Sequence, residues 1–275
     1  MSRRAFWLSL ILLSASSQLL FAQNFKGKDK VILISPPKDS LTTGEVLDYS
    51  VEWLGIPVGT VILRNEGVVK VGGHLCYHLS AESYPNSFIR KLYDLEYKVH
   101  SYLDVRTLCS RRFIKIRRIN KKFNYVIINF LPEKKRALYK SWGTKEFVNF
   151  SKSRGEIKLE PTSIIPDMTQ DLLSAFYYLR LLNIKPKGSY PVNIYYNQSN
   201  WSMYMQITEG FLREVHKRGS IEAVDVFIAS ELNDLIMGKN KFSVSLSTDS
   251  RHLPIEFKFG TAMGYVHGVL REFPK

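Results

Sequence analysis

GEVLDYSVEW, residues Gly44–Trp53, places Leu47, Tyr49, Val51 and Trp53 on one side of an extended chain and Asp48, Ser50 and Glu52 on the other. Successive side chains of a strand point to opposite faces, so this alternation marks a strand with one face in a core and one in water. The rhythm returns at Leu75, Tyr77 and Leu79, at Tyr93 to Val99, at Tyr125 and Ile127, and at Val192, Ile194 and Tyr196. It continues through Trp201 to Ile207, Val224 to Ile228, Phe242 to Leu246 and Ile255 to Phe259. Short intervals rich in Gly, Pro, Asn and Asp, such as GIPVG (55–59), NEG (65–67) and MGKN (237–240), separate the runs. Many strands joined by tight turns predict an all-β, mainly antiparallel protein, shaped as a curved sheet or an open β-barrel.

One segment departs from this rhythm. In PDMTQDLLSAFYYLRLLNIKPKG (166–188), Leu172, Phe176 and Leu179, flanked by Leu173 and Leu182, recur at helical spacing with no internal Pro or Gly. Asp167 followed by Gln170 reads as a capping box, Asp171 suits the positive end of the helix dipole, and Pro186 and Gly188 stop the helix. A single prominent helix is therefore predicted near Met168 to Asn183. Its broad apolar face is expected to lie across the open edge or mouth of the sheet.

The chain starts MSRRAFWLSLILLSASSQLLFA, in which Arg3 and Arg4 precede an apolar run closed by Ala22. This reads as a signal peptide over residues 1–22, cut after Ala22, and places the mature protein in the periplasm. Ser14, Ser16, Ser17 and Gln18 make the run a poor membrane-spanning helix. Residues 23–43, with KGKDK and two consecutive prolines, read as a linker, and residues 44–275 as a single β-rich domain. Loss of the leader leaves 37 basic against 25 acidic side chains, a formal charge of +12. Such a surplus fits anionic lipid headgroups or other acidic envelope components, and the exported address argues against nucleic acid. The two cysteines, Cys76 and Cys109, are candidates for a disulfide in an oxidising compartment if their Cα atoms lie within about 4.4–6.8 Å.

Several landmarks together resemble the bacterial domain of unknown function 3108 family. They are GEVLDYSVEWLGIPVGT with Trp53, Gly55 and Gly59; LYDLEYKVHSYLDVRTL with Asp94 and Asp104; DLLSAFYYLR with Ser174 and Arg180; and DSRHLPIEFKFGTAMGYVHGVL near the C terminus. The resemblance spans roughly residues 43–271. It implies an exported β-rich envelope protein with no established reaction and no catalytic residues to carry over. In architecture it is also similar to periplasmic lipoprotein- and lipid-carrier proteins, an analogy of fold that does not fix function.

The candidates for chemistry are few. SRRFIKIRRINKK (110–122) carries Arg111, Arg112, Lys115, Arg117, Arg118, Lys121 and Lys122, interleaved with apolar residues, on what reads as a hairpin. Guanidinium groups suit bidentate contact with phosphate or carboxylate, which makes this stretch a candidate anion-contact patch. The competing reading is a charged edge that keeps the sheet from pairing with a neighbour. His74, Cys76 and His78 fall on one strand face, but ligands about 7 Å apart without a fourth partner do not make a metal site. Asp94 and Asp104 read as turn-capping carboxylates, and Arg180 as the cation of a structural ion pair at the helix end. No GxSxG elbow, HExxH helix or phosphate loop is present. The reading is thus a non-enzymatic envelope protein with no cofactor and no metal, binding a lipid, an acyl chain or a segment of another envelope protein in an apolar groove, with a lipid or a lipoprotein as partner. A scaffolding protein without a small ligand is the alternative, and a hydrolase acting on wall or lipid ranks behind both.

Overall fold

The computed structural model describes residues 41–92, 94–145, 160–215, 219–229, 242–261, 264–272 and 274. The leader and most of the linker lie outside the described residues. Strands β1 (Val46–Trp53), β2 (Ile56–Val71) and β3 (His74–Pro85) lead into a short helix α1 (Ser87–Leu92). There follow β4 (Leu95–Asp104), β5 (Ser110–Ile119), β6 (Lys122–Leu131), β7 (Arg136–Thr144), β8 (Glu160–Ile164) and β9 (Thr169–Gln170). Helix α2 (Leu172–Leu181) precedes β10 (Ser189–Tyr196), β11 (Ser199–Ile207), β12 (Phe211–Val215), β13 (Gly219–Ala229), β14 (Phe242–Ser247), β15 (Pro254–Thr261) and β16 (Gly264–Leu270).

All sixteen strands form one sheet in the order β8-β7-β6-β5-β4-β3-β2-β1-β16-β15-β14-β13-β11-β10-β9, with β12 beside β13. Neighbours are antiparallel except for the short β9–β10 pair. The two strands at the ends of this order, β8 and β9, are joined directly through residues 165–168. At up to about 3.6 Å per residue, that link spans no more than roughly 18 Å, so the sheet has to curl until its edges meet. They meet through side chains: Ser163 Oγ lies 3.1 Å from Tyr195 Oη, and Asn200 Nδ2 donates to the Ile164 carbonyl at 2.7 Å. Ile165 joins Phe130 and Tyr195 in a small apolar cluster at the same seam. No main-chain ladder joins these edges among the described strands, and the barrel stays open.

Helix α2 fills the curl. Leu173, Tyr177 and Leu181 pack on Leu47, Tyr49, Leu63, Leu79 and Leu103, the inner faces of β1 to β4. Ala175, Leu179 and Leu182 pack on Val192, Met203, Val224 and Val244, the inner faces of β10, β11, β13 and β14. A helix apolar on opposite sides is stable only with a wall on each side. The placement expected across an edge or mouth is corrected accordingly: the helix stands between the two halves of the sheet.

The helix also starts one turn later than its sequence suggests. Thr169 and Gln170 enter the sheet as β9, Met168 turns the chain with a φ of 56°, and Asp171 becomes the cap. Asp171 Oδ1 accepts from the amides of Leu173 and Ser174, and the Ser174 hydroxyl accepts from the Asp171 amide, which completes the capping box. Asp167 instead pairs with Lys135 at the surface, and Gln170 donates to the Leu108 carbonyl. Residues 160–164 form the edge strand β8.

Two glycines of the family-like opening have separate structural causes. Leu54 and Gly55, at φ of 53° and 77°, form the two-residue turn between β1 and β2, and left-handed backbone at both positions matches the twist of the flanking strands. Gly59 lies where β2 crosses β3, and a Cβ there would run into the Tyr84 carbonyl oxygen. Trp53 anchors the same end of β1 against Val51 and Val266.

Candidate functional site

Strand pairing brings several connections to one end of the barrel. The β1–β2 turn, α1 between β3 and β4, the β5–β6 turn, the end of β7 and the β15–β16 turn are neighbours there, because Gly59 pairs with Pro85, Leu95 with Ile119, Phe123 with Thr144 and Trp53 with Val266. An open groove of about 450 Å³ lies at this end, lined by Arg117, Ile119, Lys122, Phe123, Asn124, Gly143, Thr144 and Lys145. Among the described residues its polar lining is cationic or neutral and contains no carboxylate. Arg117 Nε is buried without a hydrogen-bond partner among the described residues.

The seven basic residues of the expected patch do not form one surface, and that reading is corrected. Alternation along β5 sends Lys115 and Arg117 to the helix side, in register with Val126 and Asn124 of β6. Arg112 and Arg118 take the outer face, where Arg112 Nε donates to Asn129 Oδ1 at 2.7 Å. Arg118 donates to Asp94 at 2.6 and 2.9 Å and pairs with Glu96 at 2.7 Å. Hydrogen bonds donated to Glu96 and Asp94 raise the Arg118 guanidinium well above its ordinary value. Arg111 is the extra residue of a bulge opposite Tyr102 and Leu103, and it is only 6% exposed. It bridges Asp104 at 2.8 Å and Glu133 at 2.6 Å. Lys121 and Lys122, at the hairpin turn, are exposed. Of the seven, only Arg117 and Lys122 line the groove.

Lys115 sits deeper. Its Nζ is 5.8 Å from the centroid of the Tyr196 ring, and both residues line a cavity of about 20 Å³ that reaches Asp171 and Leu172 at the start of α2. That space holds roughly one water. Burial, with Arg117 beside it, lowers the Lys115 pKa.

The remaining candidates are absorbed by the framework. Asp104 Oδ1 accepts from the amides of Arg106 and Thr107 at 2.9 Å each and so caps the β4–β5 turn. Ser174 completes the helix cap. Arg180 pairs with Glu45 at 2.6 Å, both side chains being essentially inaccessible. The two cysteines are free thiols, which corrects the candidate disulfide. Cys76 Sγ faces the His74 carbonyl, whereas Cys109 Sγ is held between the Thr107 carbonyl and Met168 Sδ. Burial pushes the Cys76 thiol up to about 11, so it is protonated and a weak nucleophile at neutral pH.

The His74-Cys76-His78 face is dispersed among separate partners. His74 Nδ1 lies 3.3 Å from Asp104, and His78 Nε2 lies 3.0 Å from His100 Nδ1 while stacking on Tyr102. No group of three or more metal-ligating side chains converges among the described residues. Burial, and then the neighbouring His78, lower His100 from the ordinary 6.5 to about 4. Below pH 6.5 the unfolded chain therefore takes up a proton that the folded chain refuses until about pH 4. Stability contributed by neutral His100 is present above pH 6.5 and falls away between 6.5 and 4. Urea midpoints should drop across that window in the native chain, and less so in His78→Phe/His100→Phe. An equal drop in both chains would assign the dependence to other groups.

Arg117 and Lys122 belong to the stretch singled out in the sequence, but their separation from Arg112 and Arg118 is a consequence of the same period-two rule that marks the strands, and Arg111 is set apart by its bulge. Lys145 and Phe123 carry no sequence signal of their own, because their place in the groove depends on the pairing of β6 with β7.

A curled, mainly antiparallel sheet around a central helix defines a barrel-like all-β protein. The chain belongs to the family described as "Protein of unknown function (DUF3108)", whose model matches residues 48–270. Nothing among the curated proteins matches it. Among solved structures, it is similar to a β-barrel-like protein of domain of unknown function DUF1849 from Brucella abortus. The TM-score is 0.47 at 6% identity, covering 85% of this chain and 98% of that chain. No helix of the described residues is long and apolar enough to cross a membrane.

Proposed function

We propose that this is an exported envelope protein that binds an anionic amphiphile, a lipid or an acyl chain with an acidic head, in the groove at the β5–β6–β7 end. One observation carries the reading: a buried Arg117 donor without a partner among the described residues, in a groove whose described lining combines Lys122 and Lys145 with Ile119 and Phe123 and has no carboxylate to neutralise them. An acidic head would satisfy Arg117, and a chain would cover the two apolar side chains. The leader and the positive charge of the mature chain suit a protein that meets anionic lipids outside the cytoplasm.

Dodecyl phosphate below its micellar concentration, titrated into isotope-labelled protein, should move the amides of residues 117–124 and 143–145. Each hydrogen bond to a charged group contributes about 1.5–3 kcal/mol, so Arg117→Gln/Lys122→Gln is expected to weaken binding roughly tenfold or more. Unchanged affinity in that variant, or shifts confined to other strands, would sink the reading. The scaffolding alternative is favoured by a different observation: the centre of the barrel is occupied by α2, and the cavity beside its first turn holds only about 20 Å³. A scaffold without a small ligand would show no saturable shift.

A further inference from the structure

The same end of the barrel carries an unusual set of exposed side chains. Leu54 and Ile56 at the β1–β2 turn are each 59% exposed, Phe88 on α1 is 67% and Tyr265 at the β15–β16 turn is 53%. These residues come from three separate connections that strand register makes neighbours. Leu54 also lies against Gly264, so two of the tips touch. Beside them on the same end are Lys91 on α1, Lys121 and Lys122 at the β5–β6 turn and Lys145 after β7, all exposed and, among the described residues, none in an ion pair.

The acidic residues nearby are engaged elsewhere. Asp94 and Glu96 are held by Arg118 and Arg90, and Glu82 by Arg64 and Lys98. Among the described residues, Glu52 on the outer face of β1 is the exception. Apolar tips flanked by unpaired ammonium groups are the arrangement that enters the headgroup layer of an anionic bilayer, with apolar side chains at the acyl boundary and ammonium groups among the phosphates. A protein partner of matching shape would also bury the tips, but the lysines come from three neighbouring connections, which suits a laterally uniform anionic surface.

We propose that the protein docks through this end onto an anionic lipid surface, with Leu54, Ile56, Phe88 and Tyr265 as the inserting side chains and Lys91, Lys121, Lys122 and Lys145 as the headgroup contacts. The inference deepens the groove reading, because it makes the bilayer the source of the amphiphile and turns the groove toward it.

The test is co-sedimentation of the full mature chain with phosphatidylcholine vesicles, with and without phosphatidylglycerol. The native protein should bind only the anionic vesicles, and less tightly as salt rises. Leu54→Ser/Ile56→Ser/Phe88→Ser, with or without Lys91→Gln/Lys121→Gln, should bind at least tenfold more weakly while keeping the native circular dichroism spectrum. None of these residues lines the groove, so dodecyl phosphate should still bind the variants. Val68→Ser/Leu75→Ser, at exposed apolar positions of 49 and 61% on the opposite β2–β3 turn, should bind vesicles like the native chain. The proposal is overturned if the native chain ignores anionic vesicles, if the tip variant binds as well as the native chain, or if the opposite-end variant is the one that loses binding. Vesicle binding without dodecyl phosphate binding would instead remove the groove reading and leave the docking surface standing.

Discussion

Replacing Arg180 by methionine is expected to lower the free energy of unfolding by about 3–5 kcal/mol, because it strands a carboxylate inside the barrel. Arg180 Nη1 and Nη2 meet the two Glu45 oxygens at 2.6 and 2.9 Å, and the guanidinium lies 5.4 Å from the Tyr177 ring centroid. Its Nε and Nη2 also face the Arg251 carbonyl at 3.4 Å. The pair links the residue before β1 to the last turn of α2, so it ties the central helix to the first strand of the wall. Removing both charges together in Glu45→Leu/Arg180→Met should restore much of the loss, since a buried ion pair is often no more stable than an apolar pair of similar volume. For a domain of this size each kcal/mol corresponds to roughly 2–4 °C in Tm, so thermal melts should separate the single from the double variant clearly. A single variant within about 1 kcal/mol of the native chain would show that the pair is solvated in solution.

Asp171→Ala should be nearly as damaging. Its carboxylate accepts from the amides of Leu173 and Ser174 through Oδ1, and from the hydroxyls of Ser101 at 2.6 Å and Ser110 at 2.9 Å through Oδ2. Loss of a helix cap costs about 0.5–2 kcal/mol, and each buried donor left unmatched adds about 1–3 kcal/mol, less where Ser110 and Ser174 can pair with each other. A total of about 3 kcal/mol is expected by urea unfolding, with amide exchange accelerated at residues 173–175. Asp171→Asn keeps an acceptor for the two amides and should fall between Ala and the native chain. If Ala and Asn behave alike, the serine contacts rather than the cap carry the stability.

The alternation that announces the strands is a local property, set by each residue's environment on one face or the other, which is why Leu47 to Trp53 and Val192 to Tyr196 read correctly without any knowledge of their partners. The helix start was ambiguous because Asp167 and Asp171 both precede suitable residues. Only the pairing of Thr169 and Gln170 with Asn193 and Ile194 of β10 decides between them. Arg180 carries a legible hint of an ion pair, but its partner Glu45 is 135 residues away, beyond the reach of any spacing rule. In the basic hairpin, composition indicated an anion site, whereas geometry pairs Arg111 and Arg118 with Asp94, Glu96, Asp104 and Glu133. Those carboxylates come from a strand end, a strand start and two turns. What remained for a ligand, Arg117 with Lys122 and Lys145, emerged from the parity of the strands rather than from the density of charge.

The pairing of β1 with β16, which sets Tyr49 opposite Leu270, has a kinetic consequence. The β1–β16 pairing joins strands near the two ends of the described chain, so it cannot form until all of β1 to β16 has been made, and its loop-closure entropy must be met before its ladder contributes anything. Until that moment β1 has no neighbour on one side, and its inner-face Tyr49 lacks part of its cover. Non-local sheets of this kind fold in milliseconds to seconds rather than microseconds, and the waiting chain is a target for chaperones that shield an unpaired edge. Because this pairing also holds the two ends side by side, a circular permutant that joins them through a short linker and opens the chain at an exposed hairpin would convert this last step into an early, local one.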